Sequence, residues 1–292
     1  MHDATPHVRH GLAAGADFHP DRPDWTIDQG WENYTAEEHA TWKTLFERQT
    51  ALLQGRACAA FVDGMRHLPI AADAIPDFRR LSEVLLPRTG WQIVAVPGLV
   101  PDEVFFDHLA NRRFPAGRFI RRPQELDYLE EPDVFHDVFG HVPLLLNPAM
   151  ADFIQAYGQG GLRSRELGAL DQLARVYWYT VEFGLVREAG GLRIYGAGIA
   201  SSYTESVFAL DSPSPHRVGF DLARVMRTRY CIDDFQESYF VIDSLDQLLE
   251  LASVDFAPVY AAAAAQPECA PGELLPQDQV LSRGTGSHRH GS

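Results

Sequence analysis

The sequence predicts an α+β fold, a predominantly helical single domain with a few short strands. Most apolar residues recur at helical spacing, and only three short runs, residues 91–96, 192–195 and 239–242, read as strands. At 292 residues the chain can bury one sizeable core, and no internal repeat divides it.

Residues 1–33 lack apolar periodicity and are expected to form a flexible lead-in to a folded domain over 34–260. Thr35-Ala-Glu-Glu38 is a capping-box signature, followed at helical spacing by Trp42, Leu45, Phe46, Leu52 and Leu53. Helices are expected over 56–66 and 76–86, the second with a proline near its start. Pro97-Gly98 ends the strand 91–96, and a helix over 101–109 turns Phe105, Phe106 and Leu109 inward. Further helices span 132–140, 148–158 and 170–187. Gly190-Gly191 then turns the chain into the strand 192–195 and a glycine-rich loop over 195–202. A helix over 217–227, the strand 239–242 and a helix over 245–252 complete the core. Residues 261–292, alanine-rich and then rich in Pro, Gly, Gln and Ser, read as a flexible tail.

The formal charge of −15 argues against nucleic acid and anionic membrane surfaces as partners. Three widely spaced cysteines, Cys58, Cys231 and Cys269, fit a reducing compartment and supply neither a disulfide framework nor a zinc ribbon. Neither a secretion signal nor an apolar run of membrane-spanning length is visible, so a cytoplasmic location is expected.

The most informative run is Glu131-Pro-Asp-Val-Phe-His-Asp-Val-Phe-Gly-His-Val-Pro143. On a continuous α-helix, His136 and His141 would stand about 140° apart and could not share a face. A bend at Gly140 and Pro143 is therefore expected to bring the two imidazoles together. The third candidate ligand is Glu182, a carboxylate in a strongly apolar helical window where an unpaired charge would be costly. Its alternative partner is an arginine such as Arg175. Trp178 lies one turn earlier on the same face. Two histidines and one carboxylate suit non-heme iron(II), and zinc accepts the same set.

This run, together with Tyr177-Trp-Tyr-Thr-Val-Glu-Phe-Gly-Leu185 and Tyr195-Gly-Ala-Gly-Ile-Ala-Ser-Ser202, resembles the pterin-dependent aromatic amino acid hydroxylases, most of all their short bacterial members acting on phenylalanine. The three motifs stand in the family's order, and the resemblance covers roughly residues 34–260. It implies Fe(2+) held by His136, His141 and Glu182, and hydroxylation of L-phenylalanine with O2 and a tetrahydropterin. It further implies a pterin site of Gly98, Leu99, Val100, Phe105, Asp137, Ala174 and Tyr177. The substrate would meet Arg121 at its carboxylate, Trp178 and Phe183 at its ring, and Pro132, Gly198, Ser201 and Glu205 around them. Ser201 would also steady a ligand histidine. Without the resemblance, Arg121 reads as a solvated charge and Pro97-Gly98 as a simple turn.

Leu129-Glu130 and Pro101-Asp102 depart from the animal enzymes of this family, as does the lack of their long N-terminal region and C-terminal coiled-coil helix. A monomer without substrate-driven allostery is expected, served by a separate pterin-recycling system. Three alternatives remain at this level: hydroxylation of tryptophan or another aromatic amino acid; a zinc hydrolase with Asp137 as base; and a metal-binding protein using His2, His7, His10, His288 and His290, which otherwise read as solvated.

Overall fold

The computed structural model describes residues 22–127 and 131–288. The first helix, α1 (Ala36–Leu52), opens with the expected box. The Thr35 hydroxyl accepts from the Glu38 N–H at 3.2 Å, and the Glu38 carboxylate accepts from the Thr35 N–H at 2.7 Å. Next come α2 (Ala59–His67) and α3 (Phe78–Thr89). The latter is capped by Asp77 and stopped by Gly90, whose φ of 75° lies in the left-handed region that glycine enters without strain. Strand β1 (Gln92–Val96) pairs in parallel with β2 (Arg113–Gly117) across α4 (Asp102–Ala110).

The central run does not bend as expected. Phe135–His141 is one π-helical stretch, continued by a 3-10 turn over Val142–Leu146. A π-helix bonds residues five apart, so a spacing of five returns the chain to the same side. His136 and His141 thus meet on a regular wide turn. Gly140 serves a different end: a Cβ there would lie 2.9 Å from the carbonyl oxygen of Ala197, so glycine admits close approach of the helix α7 (Ala197–Ser201). The back of the turn is apolar. Phe135 stacks on Phe139 at 4.8 Å, Trp42 of α1 packs edge-on to Phe135, and Phe61 of α2 packs edge-on to Phe139. The histidine turn is thereby fixed to the main core.

Helices α5 (Pro148–Glu166) and α6 (Leu170–Tyr177) follow, and α6 passes into a second π-turn at Trp178–Glu182. The expected helix over 170–187 therefore ends early, and its last residues form β3 (Leu185–Glu188). Glycine at 184 admits close packing at this junction, since any side chain there would collide with the Tyr195 ring. Strand β3 pairs with β4 (Gly191–Ile194) and with β6 (Ser238–Ile242); with β5 (His216–Gly219) and β7 (Val280–Ser282) these form a sheet ordered β4-β3-β6-β5-β7. The expected glycine-rich loop contains α7, and α8 (Tyr203–Asp211) follows it, capped by Ser202. The expected helix over 217–227 divides into β5 (His216–Gly219) and α9 (Leu222–Arg227). Val218 is buried in the sheet and Asp221 restarts the helix by capping it.

Helices α10 (Asp246–Ala252) and α11 (Phe256–Ala264) lead into the C-terminal region, where β7 (Val280–Ser282) pairs antiparallel with β5. Composition alone suggested fraying there. The segment is instead anchored by Arg224–Asp278 at 3.0 Å and by backbone bonds of Cys269 to Arg227 and Arg229. Part of the expected lead-in is likewise docked, since the Ile27 N–H donates to the Ala95 carbonyl and the Trp31 indole donates to the Ile75 carbonyl.

Candidate active site

The two π-turns face each other across a cleft and bring three ligand atoms together. His141 Nε2 lies 3.1 Å from His136 Nε2 and 3.2 Å from Glu182 Oε1, while His136 Nε2 lies 3.6 Å from Glu182 Oε2. A hydrogen-bond chain fixes the tautomer of His136. The Ser201 hydroxyl donates to the Ala197 carbonyl at 2.8 Å, which leaves its oxygen to accept from His136 Nδ1–H at 2.9 Å. The Nε2 lone pair therefore points toward the other two ligands. Burial pushes the His136 imidazole down to about 4, keeping it neutral. Two imidazole nitrogens and a carboxylate converging in this way fit a divalent metal ion, and their chemistry suits iron(II) or zinc.

Asp133 links the ligands to the rest of the site. It is fully buried, pairs through both oxygens with Arg121 at 2.9 Å, and accepts from the His136 N–H at 3.0 Å. Burial raises its carboxyl, but the hydrogen bonds and charge of Arg121 outweigh that and hold it below the usual range. Arg121 is thus a buried, oriented guanidinium rather than a solvated charge. Its Nη1 also donates to the Leu126 carbonyl at 3.4 Å, and Arg121 lines the cavity beside the ligands.

The cavity beside the ligands has a volume of about 490 Å³. Every expected substrate residue lines it: Arg121, Pro132, Trp178, Phe183, Gly198, Ser201 and Glu205. Trp178 and Phe183 are joined by the π-type bond from the Phe183 N–H to the Trp178 carbonyl, and their rings lie 4.7 Å apart. A Cβ on Gly198 would sit 3.0 Å from the Phe183 ring and 3.2 Å from Glu182 Oε2, so glycine lets ring and ligand come close together. Ser201 is committed to His136 and Ala197. Burial pushes the Glu205 carboxyl up to about 7, although Tyr239 donates a short hydrogen bond to it.

A smaller cleft of about 60 Å³ adjoins the ligands and shares Leu99, Pro132, His136, Tyr177 and Glu182 with the cavity. Gly98, Leu99, Val100, Phe105, Asp137 and Tyr177 line it, whereas Ala174 lies on the larger cavity. Phe105 meets Tyr177 edge-on at 6.0 Å. Asp137 accepts from the Gly117 N–H at 2.7 Å, and burial pushes its carboxyl up to about 7.

Sequence reasoning missed Tyr230, which stacks on Trp178 at 4.2 Å, and the cavity-lining segment after it. An aromatic in a polar loop was the available signal, and nothing local tied it to Trp178. His288 is also not simply solvated: it pairs with Asp234 at 2.9 Å. Leu129, Glu130, His2, His7, His10 and His290 lie outside the described residues.

A candidate metal centre on facing π-turns, beside an aromatic-lined cavity and a second cleft, defines a metal-dependent site suited to a flat aromatic substrate. The sequence pattern of the biopterin-dependent aromatic amino acid hydroxylases matches residues 30–257, and the chain belongs to that family. It is 62% identical to the phenylalanine-4-hydroxylase of Caulobacter vibrioides over 267 residues, 91% of each chain. It is 57% identical to that of Chromobacterium violaceum, covering 90% of this chain and 89% of the other. The iron- and phenylalanine-bound crystal structure of the latter enzyme superposes with a TM-score of 0.85 at 56% identity, covering 89% of this chain and 95% of that one. A form with iron(III) and 7,8-dihydrobiopterin gives 0.86 at 57% identity, covering 90% and 95%.

Ser201→Ala removes the acceptor that sets the His136 tautomer and should weaken iron(II) binding about tenfold or more in a chelator competition; unchanged affinity would show that the tautomer is set elsewhere. Glu205 yields a pH-dependent prediction. Its raised carboxyl favours the protonated folded state, so its contribution is complete below the ordinary glutamate range and lost as pH rises toward about 7. In denaturant titrations, Glu205→Gln should therefore gain stability relative to the parent chain between about pH 5 and about pH 8. A constant difference across that window would contradict the assignment.

Proposed function

We propose that this chain is a phenylalanine 4-monooxygenase, converting L-phenylalanine to L-tyrosine with O2 and a tetrahydropterin at an Fe(2+) centre. The observation that carries the reading is the convergence of His136, His141 and Glu182 beside an aromatic cavity and a second, smaller cleft. When bound, iron(II) and the reduced pterin supply oxygen activation and two electrons.

The chain's own contribution is placement. His136, His141 and Glu182 hold the metal and leave its remaining positions open. The Nη1 edge of Arg121 meets the substrate carboxylate, and the Asp133 pair keeps that guanidinium from turning away. Trp178 and Phe183 confine the ring so that its para carbon faces the metal, with Gly198 clearing the approach. Pro132 and the Ser201–Glu205 side close the cavity. In the narrow cleft, the backbone of Gly98, Leu99 and Val100 pairs with the pterin, and Phe105 and Tyr177 flank it. Ala174 would meet the pterin from the larger cavity, and Asp137 lines the narrow cleft beside His136. Family membership leaves the zinc-hydrolase and metal-buffering readings without support. Another aromatic amino acid remains the competing substrate, decided by comparing turnover of phenylalanine, tyrosine and tryptophan.

A monomer is the proposed solution state. Among the described residues no helix is long and apolar enough to cross a membrane, and the three cysteines are free, which fits the cytoplasmic reading.

His136→Ala, His141→Ala and Glu182→Ala should each abolish tyrosine formation after anaerobic iron(II) loading, and a chelator should do the same to the parent chain. Full activity in any one variant would remove the assigned triad. Light scattering should give the mass of one chain at catalytic concentrations; a tetramer would overturn the proposed monomer.

A further inference from the structure

Gln236 precedes β6 and is 2% exposed, yet its polar atoms are turned toward the cavity wall rather than into the sheet. Its Oε1 accepts from the Trp178 indole N–H at 2.9 Å. Its Nε2 donates to the Cys231 carbonyl at 2.8 Å and, more weakly, to the Asp234 carbonyl at 3.4 Å. Its backbone lies against the Glu205 carboxyl and acts to lower that group's pKa. One residue therefore joins the aromatic wall, the segment 230–235 that forms the cavity's far side, and the acidic group at its end.

We propose that Gln236 is the positioning residue that fixes the Trp178 ring plane and thereby the fit of the substrate's aromatic ring. The inference rests on the phenylalanine-hydroxylase reading of this cavity. An indole confined only by stacking can slide or rotate, because stacking fixes the distance between rings far better than their rotation within the plane. A directed hydrogen bond to the indole N–H removes that freedom. Trp178 sits between Tyr230, stacked at 4.2 Å and 15°, and Phe183 at 4.7 Å, so the orientation of one ring sets all three. The clasp is doubled. The neighbouring Tyr179 hydroxyl donates to the Arg229 carbonyl at 2.7 Å, so consecutive residues of one π-turn hold both ends of the segment 229–236. The same turn carries Glu182, so the ring wall is registered directly against a metal ligand.

The test compares Gln236→Met, which keeps the side-chain length but loses both hydrogen-bonding functions, with Gln236→Glu, which keeps an oxygen acceptor for the indole. In the iron-loaded enzyme, Gln236→Met should raise the dissociation constant for phenylalanine, measured by calorimetry without pterin, about tenfold. KM should follow it, while kcat changes by no more than about twofold and the kcat/KM preference for phenylalanine over tryptophan narrows. Gln236→Glu should stay within about threefold of the parent affinity. In a Trp178→Phe background, which has no indole N–H, Gln236→Met should have no further effect. Unchanged phenylalanine affinity in folded Gln236→Met, or an equal further loss in the Trp178→Phe background, overturns the proposal. Should Gln236→Met not fold, a tenfold loss in Gln236→Glu does the same. A parent chain that binds iron but makes no tyrosine removes the functional reading itself, an outcome distinct from any of these.

Discussion

His136 Nε2 and His141 Nε2 stand 3.1 Å apart in a largely buried cleft, and the Glu182 carboxylate turns one oxygen toward each of them, at 3.6 Å and 3.2 Å. Donor groups this close in a buried site have little water to satisfy them, so the protein itself must hold them in position. The surrounding structure can be understood as what holds that arrangement in place. Ser201 commits one histidine's proton to the outside, Asp133 anchors its backbone, and the stacked Phe135 and Phe139 tie the turn to the core. These contacts hold the three side chains in converging positions that suit a divalent metal ion.

The π-turns are the economical solution to this constraint. An α-helix presents residues three and four apart on one face, whereas the wider turn presents residues five apart. Both pairs that matter use it: His136 with His141, and Trp178 with Phe183. Glycines at 140 and 198 then allow neighbouring backbone and rings to approach as closely as the convergence demands. Ligand geometry and substrate geometry are therefore set by the same two short segments, and a disturbance in either reaches both.

Charge is arranged with comparable economy. Arg121 and Asp133 neutralise each other inside the protein, so the guanidinium is oriented without leaving an uncompensated buried charge. Asp137 in the smaller cleft and Glu205 in the cavity are both pushed up to about 7 by burial. Both therefore carry less negative charge near neutral pH than exposed carboxylates would.

Local chemistry was legible in the sequence. The capping box at Thr35, the candidate ligands, the aromatic character of residues 177–183 and the glycine-rich run after Tyr195 all depend on residues within a few positions of one another. Resemblance then extended that reading to Arg121 and the narrow cleft. Tertiary structure alone decided how the histidines meet: the sequence suggested a bend at Gly140, and packing of Phe135 and Phe139 accompanies a continuous wide turn instead. It alone brought Gln236 to Trp178 across 58 positions, and folded Val280–Ser282 onto the sheet despite a composition suggestive of a loose tail. The physical reason is one of range. Propensity, capping and periodicity act over a turn or two of chain, whereas these contacts exist only once distant segments share a core.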